Sequence, residues 1–342
     1  MSVSLWPVAG GAVDIVPVLD RWLSAAKEPR PLLIETSGST GAPKRVILSR
    51  SAVVASAAAT RARLAYAGGW ALALPPTYVA GIMVMARSLL AGQPPVVLPA
   101  TVSASPVTGL ALSLVPTQLH RLLADPDGAR WLAEAEVVLV GGGPVDPALR
   151  ERAGELGVAT VATYGASETC GGCVYDGLPL PGVDVRIEAT GRITIAGPTL
   201  FSGYAADPEL TAATLVDGRF HTDDHGEFGA DGRLRVLGRL DEVVVSGGVN
   251  VPGGRVAARI RQHPAVRAAE VVGAADPEWG QRVLVWVVPT DPGVPPTLAE
   301  LRDWVGAELP RAWAPREVRL LDELPQLAHG KVDRATLQGW SR

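Results

Sequence analysis

The sequence contains few cysteines, little net charge and no long apolar run. Cys170 and Cys173 are its only cysteines, which excludes a disulfide framework. The net charge is −4, from 31 Lys and Arg against 35 Asp and Glu, whereas nucleic-acid-binding proteins usually carry a basic excess. No apolar run reaches the ~18 residues of a membrane span, and the segment before Pro31 lacks the pattern of a secretory signal. We therefore expect a cytoplasmic protein that neither spans a membrane nor binds nucleic acid.

The residue types that are abundant favour a folded protein with many loops. Hydrophobic residues make up 47% of the chain and charged residues 19%, which allows a sizeable core and argues against disorder. The 38 glycines and 29 prolines predict many tight turns. At roughly 150 residues per domain, the length of 342 residues predicts two domains. We expect the boundary near Asp241, between an N-terminal domain 1–238 and a small C-terminal domain 239–342.

Short apolar runs alternate with helical segments in the first half of the chain. The predicted strands are Trp70–Leu74, Leu110–Val115, Val137–Val140 and Val158–Ala162. Such alternation is typical of an α/β fold, with a parallel sheet between flanking helices. Between residues 185 and 237, short strands separated by Gly and Asp turns predict a small barrel-like β segment. The remaining pattern predicts a small α+β C-terminal domain that includes a helix over Val251–Gln262.

A run of glycine and hydroxyl residues follows the apolar run Leu32–Ile34. It consists of Thr36, Ser37, Gly38, Ser39, Thr40, Gly41, Ala42, Pro43 and Lys44. Glycines let backbone N–H groups approach an anion, hydroxyls donate hydrogen bonds and lysine adds positive charge, a combination that suits a polyphosphate. The run is not a Walker A loop, because Gly38 and Gly41 are too close together and Pro43 precedes Lys44. An ordinary turn between a strand and a helix is the alternative.

This loop resembles the phosphate loop of the adenylate-forming superfamily, which includes acyl-CoA synthetases, nonribosomal adenylation domains and luciferases. Four further segments resemble motifs of that superfamily in the same order, namely Tyr164-Gly-Ala-Ser-Glu168, Thr222-Asp-Asp224, Gly238-Arg-Leu-Asp241 and Gly330-Lys331. Arg45 and Asp223 stand where the superfamily usually has glycine. The resemblance implies two domains, the smaller of which rotates about a hinge at Asp241.

The resemblance also implies a reaction in two halves. A carboxylate first attacks the α-phosphate of ATP to give acyl-AMP and pyrophosphate, and a thiol then attacks the acyl-AMP. It implies catalytic roles for Lys44, Ser167 and Lys331, with Lys331 bridging the carboxylate and the α-phosphate, and Mg²⁺ binding by Glu168. The ATP or AMP contacts that it implies are Thr36, Ser37, Gly38, Ser39, Thr40, Gly41, Gly141, Gly142, Gly143, Tyr164, Gly165, Asp224 and Arg239.

Several segments resemble one subfamily, the o-succinylbenzoate–CoA ligases of menaquinone biosynthesis, and in particular the short actinobacterial type. They are Ser113–Leu119, Arg121–Leu123, Ser167–Gly177, Ser246–Gly248 and His263–Val266. This resemblance implies o-succinylbenzoate as the acid, ATP with Mg²⁺, and CoA as the second substrate. It places Ser246, Gly247 and Gly248 on the CoA side.

The resemblance also implies an acyl pocket. One of its residues differs from the family pattern, since Tyr78 stands where relatives have a histidine. The candidate pocket residues are Tyr78, Gly81, Arg87, Thr117, Gln118, Gly171 and Gly172. Arg87 is the candidate cation for the second, aromatic carboxylate of the acid, and a surface arginine on a helix is the alternative. Cys170 and Cys173 have the spacing of half a zinc or redox motif, but a zinc site needs two more ligands. Small residues of the pocket wall are the preferred interpretation.

Three other functions stay open at this point. One is a ligase for another aryl or acyl acid, since the pocket residues decide the substrate and Tyr78 differs from the histidine of relatives. The others are a stand-alone adenylation domain that loads a carrier protein and a catalytically silent adenylate-binding protein. The silent protein stays open because Arg45 and Asp223 replace glycines of the superfamily motifs. His221 and His225 lie close to Asp224 in the sequence, which also suggests a metal site. The Thr-x-Asp resemblance explains the same segment more simply. The sequence leaves open whether the protein is a homo-oligomer.

Overall fold

In the computed structural model, the described residues are 5–36, 44–99, 105–326 and 332–341, with Asp241 described by its backbone alone. By its internal contacts the chain divides into two compact units. The first comprises Met1–Arg186, Thr194–Thr222 and Phe228–Leu234. The second comprises Ile187–Ile193, Asp223–Glu227 and Arg235–Arg342. Its long segment begins at Arg235, and it also includes two short segments that the sequence did not separate. The domain boundary near Asp241 stays a prediction.

Most helices of the first unit begin at a polar cap or at proline, the exceptions being the helices that start at Ala12 and Val79. Ser49, for example, precedes the second helix and accepts a hydrogen bond from the Ala52 N–H, which satisfies one of the free donors of the first turn. The helices are α1 Ala12–Leu23, α2 Arg50–Leu64, α3 Val79–Leu90, α4 Pro116–Ala124, α5 Pro126–Ala133, α6 Pro147–Glu155 and α7 Pro208–Thr214.

The strands up to residue 239 form three sheets. They are β1 Trp6–Pro7, β2 Leu32–Glu35, β3 Arg45–Leu48, β4 Trp70–Leu72, β5 Val96–Val97, β6 Ala111–Leu114, β7 Val137–Val140, β8 Thr160–Ala166, β9 Gly171–Tyr175, β10 Leu178–Pro179, β11 Asp184–Ile187, β12 Arg192–Ala196, β13 Gly203–Tyr204, β14 Leu215–Val216, β15 Arg219–Phe228 and β16 Leu234–Arg239. One sheet has the order β1-β2-β3-β13, and another the order β11-β12-β15-β14 with β16 paired to β15. The short strands expected between residues 185 and 237 therefore exist and share a sheet.

The largest sheet has the strand order β10-β9-β8-β7-β6-β4-β5. Its central strands β8, β7, β6 and β4 pair in parallel, whereas β9 runs antiparallel to β8. Every residue of β6 and β7 is buried, as expected for parallel strands that are covered on both faces. The predicted α/β class, with a parallel sheet between helices, is confirmed.

The second unit contains an α+β segment with its own core. Its elements beyond residue 242 are β17 Val243–Ser246, β18 Val249–Pro252, α8 Gly253–Arg261, β19 Val266–Asp276, β20 Gly280–Pro289, α9 Leu298–Gly306, β21 Glu317–Leu320 and α10 Arg334–Trp340. The sheet order is β18-β17-β20-β19, with β21 paired to β20. Buried Val256, Ile260 and Leu301 fix α8 and α9 against this sheet.

One predicted element is wrong at its start. The expected helix over Val251–Gln262 begins only at Gly253, because the residues before it form β18. Gly247 and Gly248 both have positive φ, +58° and +77°, and Ser246 lies opposite Val249. Two such residues make the tight turn that returns a strand onto its neighbour. Val251 therefore belongs to β18 and pairs with β17, so it is not part of the helix.

Within the described ranges, none of the helices has both the length and the apolar character that crossing a membrane requires.

Candidate functional site

The carboxyl ends of β8, β7, β6 and β4 lie side by side along one edge of the large sheet. Their register is close, since Leu114 lies opposite Val140 and Val140 lies opposite Ala162. Ligands of parallel α/β sheets bind beyond these ends. The predicted site residues that follow the ends are Tyr164 and Gly165 after the parallel part of β8, Gly141, Gly142 and Gly143 after β7, Thr117 and Gln118 after β6, and Tyr78 and Gly81 after β4.

Ser167 and Glu168 occupy a tight reversal between β8 and β9. They form a short 3₁₀ helix with Thr169, whose hydroxyl accepts a hydrogen bond from the Ala166 N–H at 2.9 Å. A Cβ atom on Gly165 would lie 2.1 Å from the Gly171 carbonyl oxygen, so this close pairing of the two strands requires glycine. The hairpin therefore holds Ser167 and Glu168 in a fixed position just beyond Tyr164.

The carboxylate of Glu168 is buried and is held by a tyrosine that the sequence did not single out. Glu168 is 8% exposed, and its Oε1 accepts a hydrogen bond of 2.7 Å from the Tyr204 hydroxyl. The Lys44 Nζ lies 5.6 Å from the centroid of the Tyr204 ring, within cation–π range. Tyr204 lies opposite Val46 in the pairing of β13 with β3. Tyr204 therefore brings Lys44 and Glu168 together.

The two ends of the predicted phosphate loop are tied to each other. The Thr36 N–H donates to the Lys44 carbonyl oxygen at 2.8 Å, and the Lys44 N–H donates to Thr36 Oγ1 at 3.2 Å. These bonds close the loop at its base. The intervening predicted contacts Ser37, Gly38, Ser39, Thr40 and Gly41 lie outside the described residues, and so does Lys331.

The acyl-pocket candidates differ in what their side chains do. Tyr78 precedes α3 and is 39% exposed, so it is free to contact a ligand, and Thr117 is also exposed. Gln118 is engaged with the backbone, because its Nε2 donates to the Ala73 carbonyl oxygen and its Oε1 accepts from the Val115 N–H, both at 3.0 Å. Its amide joins the ends of β4 and β6. Gly171 and Gly172 open β9, opposite Ala166 and Gly165.

Arg87 is a buried residue, so the alternative of a surface arginine is wrong. It is 7% exposed, and its guanidinium stacks 5.1 Å from the centroid of the Trp70 ring. Its Nη2 donates to the Tyr175 hydroxyl at 3.5 Å. Arg87 follows Tyr78 by nine residues, or about 14 Å along a helix axis. Binding of the aromatic carboxylate by Arg87 stays a prediction.

Cys170 and Cys173 are free thiols buried in the core. Burial raises the pKa of Cys173 to about 12 and raises the pKa of Cys170 further still. A thiol reacts as its thiolate, so both side chains are inert at neutral pH. They act as packing residues beside the β8–β9 hairpin.

We expect thiol reagents to label neither cysteine in the folded protein at pH 8. Both should be labelled once denaturant exposes them, because their pKa values then fall toward the usual value near 8.5. Mass spectrometry after a short pulse of iodoacetamide measures this directly. Rapid labelling of Cys173 in the folded protein would contradict the packing role.

Asp224 and Arg239 belong to the second unit and lie near each other. Arg239 is 3.8 Å from Asp224 and 3.4 Å from Asp223 in its ion pairs, and Asp223 also pairs with Arg192 at 3.6 Å. Asp223 therefore forms ion pairs with two arginines, at a position where the superfamily has glycine. Among the described residues no group of three or more His, Cys, Asp or Glu is arranged to hold a metal ion.

The predicted CoA-side residues form the tip of the β17–β18 hairpin. Ser246 ends β17 with a buried Oγ that has no hydrogen-bond partner, and the Gly247 N–H donates to the Trp279 carbonyl oxygen at 2.9 Å. The predicted hinge residue Asp241 lies in a one-turn 3₁₀ helix, Leu240–Glu242, directly after β16. The hinge and CoA-side roles stay predictions.

Comparison with known proteins decides the family. The family model "AMP-binding enzyme" matches residues 30–205, and "AMP-binding enzyme C-terminal domain" matches residues 255–331. The chain belongs to the AMP-binding enzyme family. This AMP-binding enzyme is 45% identical over 321 residues to a probable 2-succinylbenzoate–CoA ligase of Mycobacterium tuberculosis, covering 90% of its own chain and 83% of the relative.

Two solved structures of a Bacillus subtilis protein are also similar to this AMP-binding enzyme. One is o-succinylbenzoate CoA synthetase in complex with the acyl-adenylate intermediate, with a TM-score of 0.80, 29% identity and coverage of 90% of this chain and 68% of that one. The other is the same synthetase with ATP and magnesium ion, with a TM-score of 0.78, 28% identity and the same coverage. The predicted superfamily is confirmed.

Proposed function

We propose that this AMP-binding enzyme is an AMP-forming ligase that joins 2-succinylbenzoate to CoA at the cost of ATP. The observation that carries the proposal is the 45% identity to a probable 2-succinylbenzoate–CoA ligase over 90% of the chain. The edge that gathers Tyr164, Ser167, Glu168 and the glycine turn after β7 supports the nucleotide part of the reaction. The cytoplasmic location and the oligomeric state stay predictions from the sequence.

In the first half-reaction, the succinyl carboxylate attacks the α-phosphorus of ATP. A carboxylate oxygen bonds to phosphorus, and the bond from phosphorus to the pyrophosphate oxygen breaks. Two anions must approach each other, so fixed cations and hydrogen-bond donors lower the barrier. We assign Lys331 to the carboxylate and the α-phosphate, the Ser167 hydroxyl to the α-phosphate, and Lys44 to the outer phosphates.

Glu168 is suited to hold Mg²⁺ with ATP. Mg²⁺ prefers carboxylate oxygen ligands, and the Glu168 carboxylate is buried and fixed by Tyr204 beside the ends of the phosphate loop. When bound, Mg²⁺ neutralises phosphate charge and favours departure of pyrophosphate. On the protein side, Tyr204 keeps the carboxylate in one orientation.

In the second half-reaction, the CoA thiol attacks the acyl carbon of the acyl-AMP. A carbon–sulfur bond forms, the bond to AMP breaks, and the thiol proton passes to solvent. We propose that the C-terminal domain turns about Asp241 between the halves, which withdraws Lys331 and presents the Ser246–Gly248 hairpin tip. Hinge residues absorb a large change in φ and ψ in such movements.

A panel of carboxylic acids with and without CoA tests the proposed reaction. Pyrophosphate release should depend on 2-succinylbenzoate, and the thioester should appear when CoA is added. Release with a different aryl acid alone would favour another ligase, and transfer to a carrier phosphopantetheine but not to CoA would favour an adenylation domain. No release with any acid would favour the silent adenylate-binding protein.

Tyr204→Phe should raise the Mg²⁺ concentration needed for half-maximal pyrophosphate release by about tenfold, because outer residues that orient metal ligands have effects of this size. The ring and its contact with Lys44 are kept, so the maximal rate at saturating Mg²⁺ should change little. Phe201→Leu, which alters the neighbouring ring without touching the hydroxyl, is the matched control. An unchanged Mg²⁺ requirement in Tyr204→Phe would contradict the positioning role.

A further inference from the structure

A cavity of about 160 Å³ lies in the first unit beside the packed helices α2 and α3. Its walls come from the second half of α2, the segment before β4 and the end of α3. The residues that matter are Ala57, Thr60, Tyr66, Trp70, Arg87 and Leu90. Most of this lining is apolar, and the buried cation in it is Arg87.

The guanidinium of Arg87 stacks on Trp70, but no anionic group of the described residues balances its charge. Among the described residues no carboxylate lies within ion-pair distance of its guanidinium, and its buried Nε has no hydrogen-bond partner. Its polar neighbour is the Tyr175 hydroxyl at 3.5 Å, which also bonds to Thr60 Oγ1 at 3.0 Å. Both are neutral. A buried charge without a partner is strongly unfavourable, so an anion in the cavity would stabilise this arrangement.

We propose that this cavity is a binding site for a small aromatic carboxylate, with the carboxylate on Arg87 and the ring against Trp70 and the alanines of α2. A cavity of about 150 Å³ accommodates benzene, so a benzoate-sized anion is near the upper limit here. Nucleotides and CoA are far too large. Guanidinium and carboxylate groups match each other in geometry, which favours a carboxylate over a spherical anion.

The cavity is separate from the edge where adenylation is proposed. Arg87 lies about 14 Å along the α3 axis from Tyr78. Trp70 is the first residue of β4, whereas Tyr78 follows its carboxyl end. On this geometry the proposed ligand is a second acid molecule, bound in addition to the acid that reacts at the edge. The same chemistry could be supplied by a free aromatic acid or by the ring carboxylate of 2-succinylbenzoate, and the experiment must distinguish these sources.

Isothermal titration of the full-length protein with benzoate, without ATP or CoA, tests the site independently of ligase activity. The wild type should bind benzoate, and Arg87→Gln should weaken binding about 10- to 100-fold, as for loss of a hydrogen bond to a charged group. Ala58→Trp, at an exposed position on the cavity rim, should also weaken binding while Arg87 is kept. Arg121→Gln removes the same charge at an exposed position on α4 and should bind as the wild type does.

Two results would overturn the proposal. One is benzoate binding that is equally strong in the wild type, Arg87→Gln and Ala58→Trp, which would place benzoate elsewhere. The other is loss of benzoate binding when 2-succinylbenzoate saturates the wild type, which would make the cavity part of the substrate site. Simultaneous binding of both acids supports a separate site, whether or not the enzyme turns either of them over.

Discussion

Lys331→Ala should lower the rate of acyl-AMP formation by about 10²- to 10³-fold, the usual effect of removing a contact made in the transition state. Thioester formation from supplied acyl-AMP and CoA should be retained. The reason is that Lys331 is assigned only to the step in which two anions meet, and the thiol attacks a substrate that is already activated. Pyrophosphate release and thioester formation, measured separately, give the two rates.

The chain offers a matched control for this experiment. Its lysines are Lys27, Lys44 and Lys331, and Lys27 is exposed just after α1. Lys27→Ala removes the same charge away from every predicted site residue and should leave both rates unchanged. If Lys331→Ala slowed both half-reactions equally, the alternation of the C-terminal domain between two positions would be contradicted.

Glu168→Gln should lower pyrophosphate release at least about 100-fold at fixed Mg²⁺, since it removes a charged ligand, and residues that merely orient a ligand already have 10- to 100-fold effects. Glutamine can still accept the Tyr204 hydroxyl bond, so the fold should survive. The Mg²⁺ dependence of pyrophosphate release is the measurement. Part of the loss should be recovered at high Mg²⁺.

Comparing Glu168→Gln with Tyr204→Phe separates the role of the Glu168 charge from the role of its hydrogen bond with Tyr204. The glutamine variant removes negative charge and keeps the hydrogen bond, whereas the phenylalanine variant removes the hydrogen bond and keeps the charge. We expect a much larger effect from Glu168→Gln. Equal effects would mean that the carboxylate serves the hairpin structure and has no direct part in binding Mg²⁺.

Features that depend on neighbouring residues were predictable from the sequence. The strand Val137–Val140 has the predicted bounds, because four apolar residues followed by glycines define both its burial and its end. The glycines after β7 follow the end of a parallel strand, as expected, whereas the run Thr36–Lys44 lies between β2 and β3, which pair antiparallel.

Features that depend on distant pairing were missed. No strand is predicted at β3, since its four residues form a strand only through pairing with β2 and β13. The predicted helix Val251–Gln262 overlaps the β17–β18 hairpin, because periodicity cannot distinguish a short apolar strand from the first turn of a helix. The Gly247-Gly248 pair was the available signal for that turn.

The sequence by itself determined the α/β class, the order of the superfamily motifs and the residue types that suit ATP, Mg²⁺ and an acid. Only the tertiary structure decided that Tyr204 holds Glu168 and that Arg87 is buried beside Trp70 and Tyr175. The physical reason is that a motif is local, whereas burial and hydrogen bonding depend on which distant segments pack against it. A lone tyrosine and a lone arginine carry no such information until the strands and helices around them are in place.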